Sequence, residues 1–376
     1  SGEYTPGRLI FDLAQKDFTP KTGIEVKFDY VAWAQFTDKI LVTLSAHDSS
    51  YDLILGDSQL LGVATNGGHY VDLTEWLKQN IAFDKLAPAP QKYYGEYPPE
   101  SGKYYGFSGV LDVPIIGYRK DLFEDPAEKE AFKAKYGYDL AVPKTWDELR
   151  DIAEFFTRPD KNFYGLAYWP AKTFDAVTMG FQPVMWSFGA DYHAPDSFEV
   201  EGYLNNEAGV KALEFYVSLM KFAPPGSENY YWNECVQAIT QGLVAMSFEW
   251  GSFAEGMVNK ETNPQYYDKI GFFPGKIGDD GQIHQAATLG GQGWSLVNYS
   301  QNKDAAYEFL KWWCSEETQK KYMEIGGIPI LTDLLNSDEF LSAKPYNKAF
   351  ADSFGYVRDF WTIPEYASLL ELCQNY

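Results

Sequence analysis

The stretch Tyr51-Asp52-Leu53-Ile54-Leu55-Gly56-Asp57 decides the fold class. Its short aliphatic run, ended by glycine and aspartate, is typical of a strand in a parallel sheet that is covered on both faces. Upstream, residues 35–46 carry apolar side chains at four-residue spacing, which predicts a helix. Before them, residues 24–28 alternate apolar and charged side chains, which predicts a strand. Strand, helix and strand in succession favour an α/β fold with a mainly parallel sheet.

Three further segments have the apolar spacing of helices that face a core. Thr145 and Glu148 form the pattern of a capping box ahead of a stripe that begins at Trp146. The other two stripes are Val210, Leu213, Val217 and Met220, and Ala306, Phe309, Leu310 and Trp313. We predict that all three helices bury these apolar residues.

The chain is expected to form two lobes, because 376 residues exceed the usual size of one domain. Residues 110–118 are strongly apolar, but a proline and a glycine argue against one central strand throughout, so we interpret them as a crossing between lobes. Small or polar residues suggest further crossings near 289–293 and 326–329. The predicted lobes are residues 1–110 with 292–328, and residues 114–288 with 332–376.

Composition excludes several classes of function. The chain has 53 acidic and 31 basic side chains, a net charge of −22, which argues against a nucleic-acid partner. No run of about 18 apolar residues predicts a membrane-spanning helix. Three scattered cysteines and four widely separated histidines form neither a disulfide framework nor a metal-site pattern. We therefore expect no metal and no cofactor.

Aromatic residues make up 17% of the chain, and several follow predicted strands. Trp33 follows the first strand, Tyr168 and Trp169 follow residues 164–167, and Trp250 follows a buried strand. Loops after the carboxyl ends of strands line the ligand crevice of α/β sheets. Flat rings beside carboxylates and amides suit a sugar, which presents a C–H face and many hydroxyls. The accompanying polar residues are Gln35, Asp57, Gln59, Asp112, Glu249 and Gln292.

Seven stretches have the order and spacing of a known family. They are Phe18-Thr19-Pro20-Lys21-Thr22-Gly23-Ile24-Glu25-Val26, Tyr51-Asp52-Leu53-Ile54-Leu55-Gly56-Asp57, Tyr118-Arg119-Lys120-Asp121-Leu122-Phe123, Pro143-Lys144-Thr145-Trp146-Asp147-Glu148-Leu149, Gly242-Leu243-Val244-Ala245-Met246, Leu289-Gly290-Gly291 and Ser300-Gln301-Asn302-Lys303-Asp304-Ala305-Ala306-Tyr307-Glu308-Phe309-Leu310. Over nearly its whole length the chain resembles the family 1 extracellular solute-binding proteins of ABC importers, which include the maltose-binding proteins.

The resemblance implies two discontinuous α/β lobes joined by hinge crossings, the type II periplasmic-binding-protein fold. Such lobes close on a ligand, usually a sugar or oligosaccharide, and deliver it to a membrane permease. We expect a monomer outside the cytoplasmic membrane, in the periplasm or tethered to the cell surface. In the family a strand precedes the loop that corresponds to residues 1–5, so we expect further residues ahead of Ser1.

The resemblance also implies a set of ligand-binding residues, carried over loop by loop. Glu3 and Tyr4 match the family's first cleft loop, and Trp250 matches a cleft tryptophan. The complete predicted set is Glu3, Tyr4, Trp33, Gln35, Asp57, Gln59, Asp112, Tyr168, Trp169, Trp186, Trp232, Glu249, Trp250, Gly290, Gly291, Gln292 and Trp361. Trp186, Trp232 and Trp361 fall in loops that vary within the family.

These observations predict a binding protein for a neutral carbohydrate, with no catalytic residue. A polyanionic ligand is disfavoured because no arginine falls in the predicted cleft loops. The alternative is a carbohydrate-active enzyme that uses two cleft carboxylates, such as Asp112 with Glu249. A third interpretation, a structural or adhesive protein, predicts no small-molecule ligand.

Overall fold

A computed structural model describes residues 5–195, 197–275 and 285–375. The chain divides into two compact units, each assembled from separated stretches of sequence. Unit 1 comprises residues 1–112, 290–343 and 359–369, and unit 2 comprises residues 113–289, 344–358 and 370–376. These units differ from the predicted lobes mainly in residues 332–343 and 359–369, which pack with unit 1. The bounds of the two lobes that move relative to each other stay a prediction.

Nine strands and nineteen α-helices are assigned within the described residues. The strands are β1 Leu53–Gly56, β2 Phe107–Asp112, β3 Pro114–Arg119, β4 Tyr164–Ala167, β5 Val244–Trp250, β6 Ile270–Pro274, β7 Ala287–Thr288, β8 Gly290–Leu296 and β9 Val357–Arg358. The helices are α1 Thr5–Leu13, α2 Thr19–Thr22, α3 Trp33–Ser45, α4 Ser58–Asn66, α5 Thr74–Asn80, α6 Pro88–Tyr94, α7 Lys120–Glu124, α8 Pro126–Tyr136, α9 Trp146–Phe156, α10 Ala176–Ser187, α11 Glu207–Ser218, α12 Trp232–Thr240, α13 Glu255–Val258, α14 Lys303–Cys314, α15 Glu316–Glu324, α16 Thr332–Leu335, α17 Asp338–Ala343, α18 Asn347–Phe354 and α19 Tyr366–Asn375. Within the described part of the chain, no helix is long and apolar enough to cross a membrane.

The sheet of unit 1 has the strand order β1-β8-β2. Both outer strands pair antiparallel with β8, so β1 and β2 run parallel to each other. Successive residues of β8 point to opposite faces of the sheet. Trp294 contacts Phe309 of α14, whereas a Cβ on Gly293 would meet Tyr94 of α6 at 2.6 Å. Helices therefore pack on both faces of this sheet at β8.

The predicted helix over residues 35–46 is confirmed by α3, and its apolar side is buried against β1 and α4. Ile40 and Leu44 lie in one cluster with Ile54 of β1 and Leu60 of α4. The predicted strand over 52–56 is confirmed by β1, although its pairing with β8 is antiparallel rather than parallel. Every second residue of β1 is only partly buried, so the expected full cover on both faces is absent there.

Residues 24–28 do not form the predicted strand. Their burial alternates as expected, since Ile24, Val26 and Phe28 are partly buried and the charged residues between them are exposed. Among the described strands none pairs with this segment. Alternation determines which side chains face the protein, but a strand also needs a neighbour for its backbone hydrogen bonds.

The sheet of unit 2 has the strand order β4-β5-β3-β6. β4 and β5 are parallel, and β3 pairs antiparallel with both β5 and β6. Neither sheet is therefore mainly parallel by direct pairing, because each contains one reversed strand between strands that share a direction. Residues 110–118 are not one strand throughout, as predicted, because β2 ends at Asp112, β3 begins at Pro114, and the boundary between the two units falls between them. Gly117 nevertheless lies within β3, an interior strand of this sheet. Proline is tolerated at the first position of a strand, where the sheet does not need its N–H.

The helix α9 begins at the predicted capping box, which confirms that signal. The Thr145 hydroxyl accepts from the backbone N–H of Glu148 at 3.2 Å, and the Glu148 carboxylate accepts from the N–H of Thr145 at 3.4 Å. The helix then packs closely on β4, because a Cβ on Gly165 would lie 1.9 Å from the carbonyl oxygen of Ala153. The backbones of α9 and β4 approach so closely at Gly165 that only glycine fits there.

The predicted burial of the apolar stripe on α11 is wrong. Val210, Leu213 and Val217 are 51%, 49% and 58% exposed. The buried side of the helix consists instead of residues such as Ala212 and Phe215. The helix carries apolar residues on two faces, and spacing alone does not say which face meets the core. The stripe on α14 and Trp146 of α9 are buried as predicted.

Asp17 ties the N-terminal helices of unit 1 to α14 and α15. Its carboxylate accepts from Lys321 Nζ at 2.6 Å and from the indole N–H of Trp312 at 2.8 Å, and it pairs with Lys21 at 3.0 Å. Burial raises the pKa of Asp17, but these hydrogen bonds outweigh it and lower the pKa from 3.8 to about 2. The side chain is only 13% exposed, so solvent screens these contacts incompletely.

We predict that Asp17→Asn lowers the free energy of unfolding by about 1 to 2 kcal/mol at pH 7. A depressed carboxyl pKa stabilises the fold above pH 4, and this contribution is lost as the pH falls from about 4 to about 2. Urea unfolding of both proteins at pH 7 and pH 3 should therefore show a difference that shrinks to about half at pH 3.

Asp12→Asn is the matched control for Asp17. Asp12 pairs with Arg8 at 3.3 Å, but both side chains are largely exposed. The control should lower stability by less than about 1 kcal/mol at pH 7. An Asp17→Asn effect that is the same at both pH values would contradict the assigned electrostatic role.

Candidate functional site

The carboxyl ends of β1 and β2 lie at the same edge of the unit 1 sheet, where β8 begins. Gly56 at the end of β1 stands opposite Gly293, and Asp112 at the end of β2 stands opposite Gly290. The pairing therefore brings together six of the predicted ligand-binding residues: Asp57, Gln59, Asp112, Gly290, Gly291 and Gln292.

Asp57 and Gln59 open the helix α4 at this edge. Asp57 is the N-cap residue, and its Oδ1 accepts from the hydroxyl of Ser58 at 2.9 Å and from the N–H of Gln59 at 3.4 Å. The side chain of Gln59 is buried, and its Oε1 has no hydrogen-bond partner among the described residues. A buried carbonyl oxygen without a partner is uncommon in folded proteins.

The backbone conformation near the start of β8 requires a glycine at position 291. Gly291 has φ +97°, and a Cβ there would lie 2.1 Å from the carbonyl oxygen of Val110. The neighbouring Gln292 presents another buried Oε1 that lacks a partner within the described part of the chain. Close strand approach and an unsatisfied acceptor thus coincide at this end of the sheet.

Asp112 is buried at the end of β2. Tyr322 of α15 is also buried; burial raises its pKa, and the charge of Asp112 raises it further. Tyr322 in turn packs edge-on against Trp313, with ring centres 4.8 Å apart. Asp112 is therefore held at the sheet edge beside a phenol that remains protonated.

The other predicted residues of unit 1 lie outside this group. Trp33 and Gln35 are in the first turn of α3, where the ring of Trp33 stacks on Phe36 at 5.7 Å. Trp361 is partly buried and packs on Phe360 at 5.5 Å. Glu3 and Tyr4 lie outside the described residues.

The unit 2 sheet has an equivalent edge. β4 and β5 end there, and Trp250, the last residue of β5, stands opposite Pro114, the first residue of β3. Trp250 does not follow the strand as predicted, because β5 includes both Glu249 and Trp250. This edge brings together Trp169, Glu249 and Trp250 of the predicted set.

Three aromatic rings pack around Trp169, which is fully buried. Its ring centre lies 4.6 Å from Phe248, 4.9 Å from Trp250 and 5.2 Å from Tyr231. The indole N–H of Trp169 has no acceptor among the residues the structure describes. The indole N–H of Trp250 donates to the Tyr231 hydroxyl at 3.4 Å. These rings form one packed group, which we call the Trp169–Trp250 cluster. It is defined by Trp169, Tyr231, Phe248 and Trp250.

Three predicted aromatic residues of unit 2 take other positions. Tyr168 is buried against Tyr216, with ring centres 5.0 Å apart. Trp186 is buried on α10, where its N–H donates to Asp191 and the guanidinium of Arg358 lies over its ring. Trp232 begins α12 and stacks on Phe253 with ring centres 6.0 Å apart.

Two polar residues of this edge were missed from the sequence. The Tyr231 hydroxyl donates to Oδ1 of Asp175 at 2.8 Å, and both side chains are buried. Tyr231 lies in the run Tyr230-Tyr231-Trp232, and this aromatic density was the available signal for it. Asp175 carried no signal, because an isolated aspartate ahead of a helix usually indicates only an N-cap.

The electrostatics of the unit 2 edge are those of buried carboxylates. Oε1 of Glu249 accepts from the backbone N–H of Trp250 at 2.9 Å. Burial raises the pKa of Tyr231, and the charges of Asp175 and Glu249 raise it further. Burial and the charge of Glu249 likewise raise the pKa of the Cys235 thiol, which therefore stays protonated.

Metal ligation finds no support in the described residues. No group of three or more histidine, cysteine, aspartate or glutamate side chains is placed to hold a metal ion there. The three cysteines are free thiols. The chemistry that these edges offer is stacking and hydrogen bonding.

Solved structures of solute-binding proteins share this fold. A solute-binding protein of an ABC transporter from Agrobacterium radiobacter, in complex with ribitol, matches with a TM-score of 0.79 at 24% identity, covering 97% of this chain and 89% of that one. Maltose-bound MalE3 of T. maritima matches with a TM-score of 0.81 at 21% identity, covering 100% of this chain and 91% of that one. The predicted fold class is thereby confirmed.

Sequence relatives point to the same class. A probable amino-acid ABC transporter periplasmic-binding protein of Sinorhizobium fredii is 26% identical over 340 residues, which span 89% of this chain and 72% of the relative. The family model for the bacterial extracellular solute-binding protein matches residues 4–320. The chain therefore belongs to the family of bacterial extracellular solute-binding proteins, as its resemblance to the solute-binding proteins of ABC importers predicted.

Proposed function

We propose that this protein captures a neutral polyol or sugar and delivers it to the membrane permease of an ABC importer. It acts outside the cytoplasmic membrane as a monomer and performs no chemistry on its ligand. The residues of both sheet edges described above take part in binding the ligand. The lobes, residues 1–110 with 292–328 and residues 114–288 with 332–376, close on the ligand by hinge bending.

Buried polar atoms and aromatic rings at the two sheet edges carry this proposal. Gln59 Oε1 and Gln292 Oε1 are buried acceptors, and Trp169 Nε1 is a buried donor; none has a partner in the described part of the chain. Hydroxyl groups both donate and accept, so a polyhydroxylated ligand matches the chemistry of both kinds of atom. The apolar faces of the Trp169–Trp250 cluster suit its C–H groups.

Charge favours a neutral ligand. Asp57, Asp112, Asp175 and Glu249 place carboxylates at the two edges, and ionised carboxylates repel an anion. They are good acceptors for hydroxyl groups, since hydrogen bonds to charged acceptors are stronger than neutral ones. The ribitol and maltose bound by the matched structures are neutral and polyhydroxylated, which supports the same class.

Chain connectivity supports the hinge crossings that the proposal requires. Only Val113 separates Asp112, the last residue of β2, from Pro114, the first residue of β3. Likewise only Leu289 separates β7 from β8, which begins at Gly290. The boundaries between the two units fall at these two short connections, after Asp112 and after Leu289, as hinge crossings require.

The enzyme alternative is not supported. The family that this chain belongs to consists of solute-binding proteins, as do the matched structures, and this confirms the prediction that the chain is not an enzyme. Buried carboxylates at the sheet edges are explained by hydroxyl recognition without a reaction.

A thermal-shift screen tests the proposed ligand class directly. We expect ribitol, D-mannitol or maltose to raise the melting temperature, because a ligand at a hundred times its dissociation constant adds about 2.7 kcal/mol to the free energy of unfolding. L-Leucine and L-glutamate at the same concentrations should leave it unchanged. Stabilisation by an amino acid and by none of the polyols or sugars would overturn the proposal.

Removing the ring of Trp250 should weaken binding strongly. We expect Trp250→Ala to cost about 2 to 4 kcal/mol, roughly thirtyfold to a thousandfold in affinity for the stabilising polyol or sugar, by calorimetry. Trp76→Ala is the matched control, because Trp76 packs on Tyr307 at 4.9 Å within unit 1 and belongs to neither edge. Equal affinities for the wild type and Trp250→Ala would remove Trp250 from the site.

Asp57 makes the stability of unit 1 depend on pH. Burial raises the pKa of its carboxyl from 3.8 to about 6, although hydrogen bonds from Ser58 and Gln59 oppose the shift. Between these two values the folded protein holds more protons at this site than the unfolded chain does. The free energy of unfolding therefore falls as the pH rises from about 4 to about 6, and it is level above that.

We predict that Asp57→Asn removes this dependence. Asparagine keeps an oxygen for the N-cap of α4 but does not ionise in this range. Between pH 4 and pH 7 the wild type should lose up to about 3 kcal/mol of stability relative to Asp57→Asn, measured by urea unfolding. Parallel pH profiles for the two proteins would show that Asp57 titrates near its ordinary value.

A further inference from the structure

Asp175 occupies the N-cap position of α10 but does not cap the helix. Aspartate at this position normally accepts a hydrogen bond from the second or third N–H of its helix. Here its side chain makes no capping hydrogen bond. Its Oδ1 accepts instead from the Tyr231 hydroxyl, which lies 56 positions away in the sequence, at 2.8 Å. The carboxylate is thus directed away from its own helix.

The backbone ahead of Asp175 is in an unfavourable conformation. Phe174 has φ +50°, in the left-handed region that residues other than glycine rarely adopt. Such conformations persist where the surrounding structure enforces them, and they cluster at functional sites. The turn therefore delivers a buried carboxylate to Tyr231 at a conformational cost.

Tyr231 connects Asp175 to Trp250 through a second hydrogen bond of its hydroxyl. Its hydroxyl donates to Asp175 and accepts from the indole N–H of Trp250 at 3.4 Å. Its ring packs edge-on against Trp169, and Trp169 lies 4.9 Å from Trp250 with the planes tilted by 34°. The Tyr231 hydroxyl therefore links Asp175 to Trp250, so that the orientation of the Trp250 ring depends on the position of Asp175.

We propose that Asp175 is a positioning residue for the ring of Trp250 and acts on it through the hydroxyl of Tyr231. The inference rests on the proposed function in one respect, namely that Trp250 contacts the ligand. Asp175 itself need not touch the ligand. Its role is to hold the Trp250 ring in the orientation in which a polyol or sugar packs on it.

The direction of each hydrogen bond follows from the chemistry of the three groups. An indole nitrogen only donates, and an ionised carboxylate only accepts, so the hydroxyl between them must do both. Donation to a carboxylate polarises the hydroxyl and strengthens its acceptance from the indole. Burial and the charge of Asp175 raise the pKa of Tyr231, which keeps its proton in place.

Nitrogen-15 NMR of the tryptophan indole groups tests the contact without any ligand. Eleven tryptophans give at most eleven indole N–H resonances, and Trp250→Phe identifies that of Trp250. We expect Tyr231→Phe and Asp175→Ala each to shift this resonance and to speed its exchange with solvent. Asp175→Asn, which retains an acceptor oxygen, should preserve most of the wild-type signal.

Trp313 supplies the internal control in the same spectra. Its indole N–H donates to the carbonyl of Gly109 in unit 1 at 3.1 Å, so its resonance should not move in any of these variants. A Trp250 resonance that is unchanged in a folded Asp175→Ala protein would overturn the proposal. Movement of both resonances would also count against it, because it would indicate a general loss of structure.

A double-mutant cycle separates positioning from general stabilisation. With ribitol as the probe, or maltose if only maltose stabilises the wild type, Asp175→Ala should weaken binding about threefold to thirtyfold. In a Trp250→Ala background the same change should alter affinity by less than about twofold, because its target ring is absent. Equal effects in both backgrounds would contradict a role exerted through Trp250.

The two arms distinguish failure of the inference from failure of the proposed function. If neither ribitol nor maltose binds the wild type, the ligand class is wrong, and the indole resonances still decide whether Asp175 positions Trp250. If a probe binds and Asp175→Ala changes neither the resonance nor the affinity, the positioning role is wrong while the proposed function stands.

Discussion

The passage of the chain from β2 through Val113 into β3 is the constraint on which the rest of the structure depends. It joins the last residue of one sheet's strand to the first residue of the other's, with one residue between them. A strand that enters a sheet from this edge must run opposite to strands that end there. β3 accordingly pairs antiparallel with β5 and β6, and β8 does the same between β1 and β2. Each sheet thus acquires one reversed strand.

This constraint also determines where polar and aromatic side chains collect. Strands of common direction end at the edge where the reversed strand begins, so residues distant in sequence meet there. In unit 1 these are carboxylates, amides and glycines, and in unit 2 they are aromatic rings with carboxylates. Buried polar atoms that have no partner among the described residues occur at both edges, where hydroxyl groups of a ligand would satisfy them. Recognition of a polyhydroxylated molecule is the function that this chemistry serves best.

Local patterns in the sequence were sufficient to predict part of the fold. The helix α3, the strand β1, the capping box of α9 and the buried stripe of α14 all depend on contacts within a few residues or on one apolar face. The predictions that failed concern features that depend on residues distant in the sequence. Residues 24–28 alternate correctly but pair with no described strand, and the apolar stripe of α11 is exposed because another face of that helix meets the core.

The candidate site shows the same division. Asp57 and Trp169, selected because they follow predicted strands, lie at the sheet edges, and Asp112 and Trp250 lie there as the last residues of β2 and β5. Trp186 was selected from the family resemblance, and no local pattern reveals its burial beside Asp191 and Arg358. Asp175 and Tyr231 were missed because their hydrogen bond spans 56 positions, and no local pattern in the sequence predicts pairing at that range.

Hydrogen–deuterium exchange with and without a saturating polyol or sugar tests most directly whether the residues at both sheet edges take part in ligand binding. The account predicts slower exchange on ligand addition in two sets of peptides, those covering 56–59, 110–113 and 290–292, and those covering 168–175 and 249–251. Protection confined to one sheet edge, or located away from both, would contradict it.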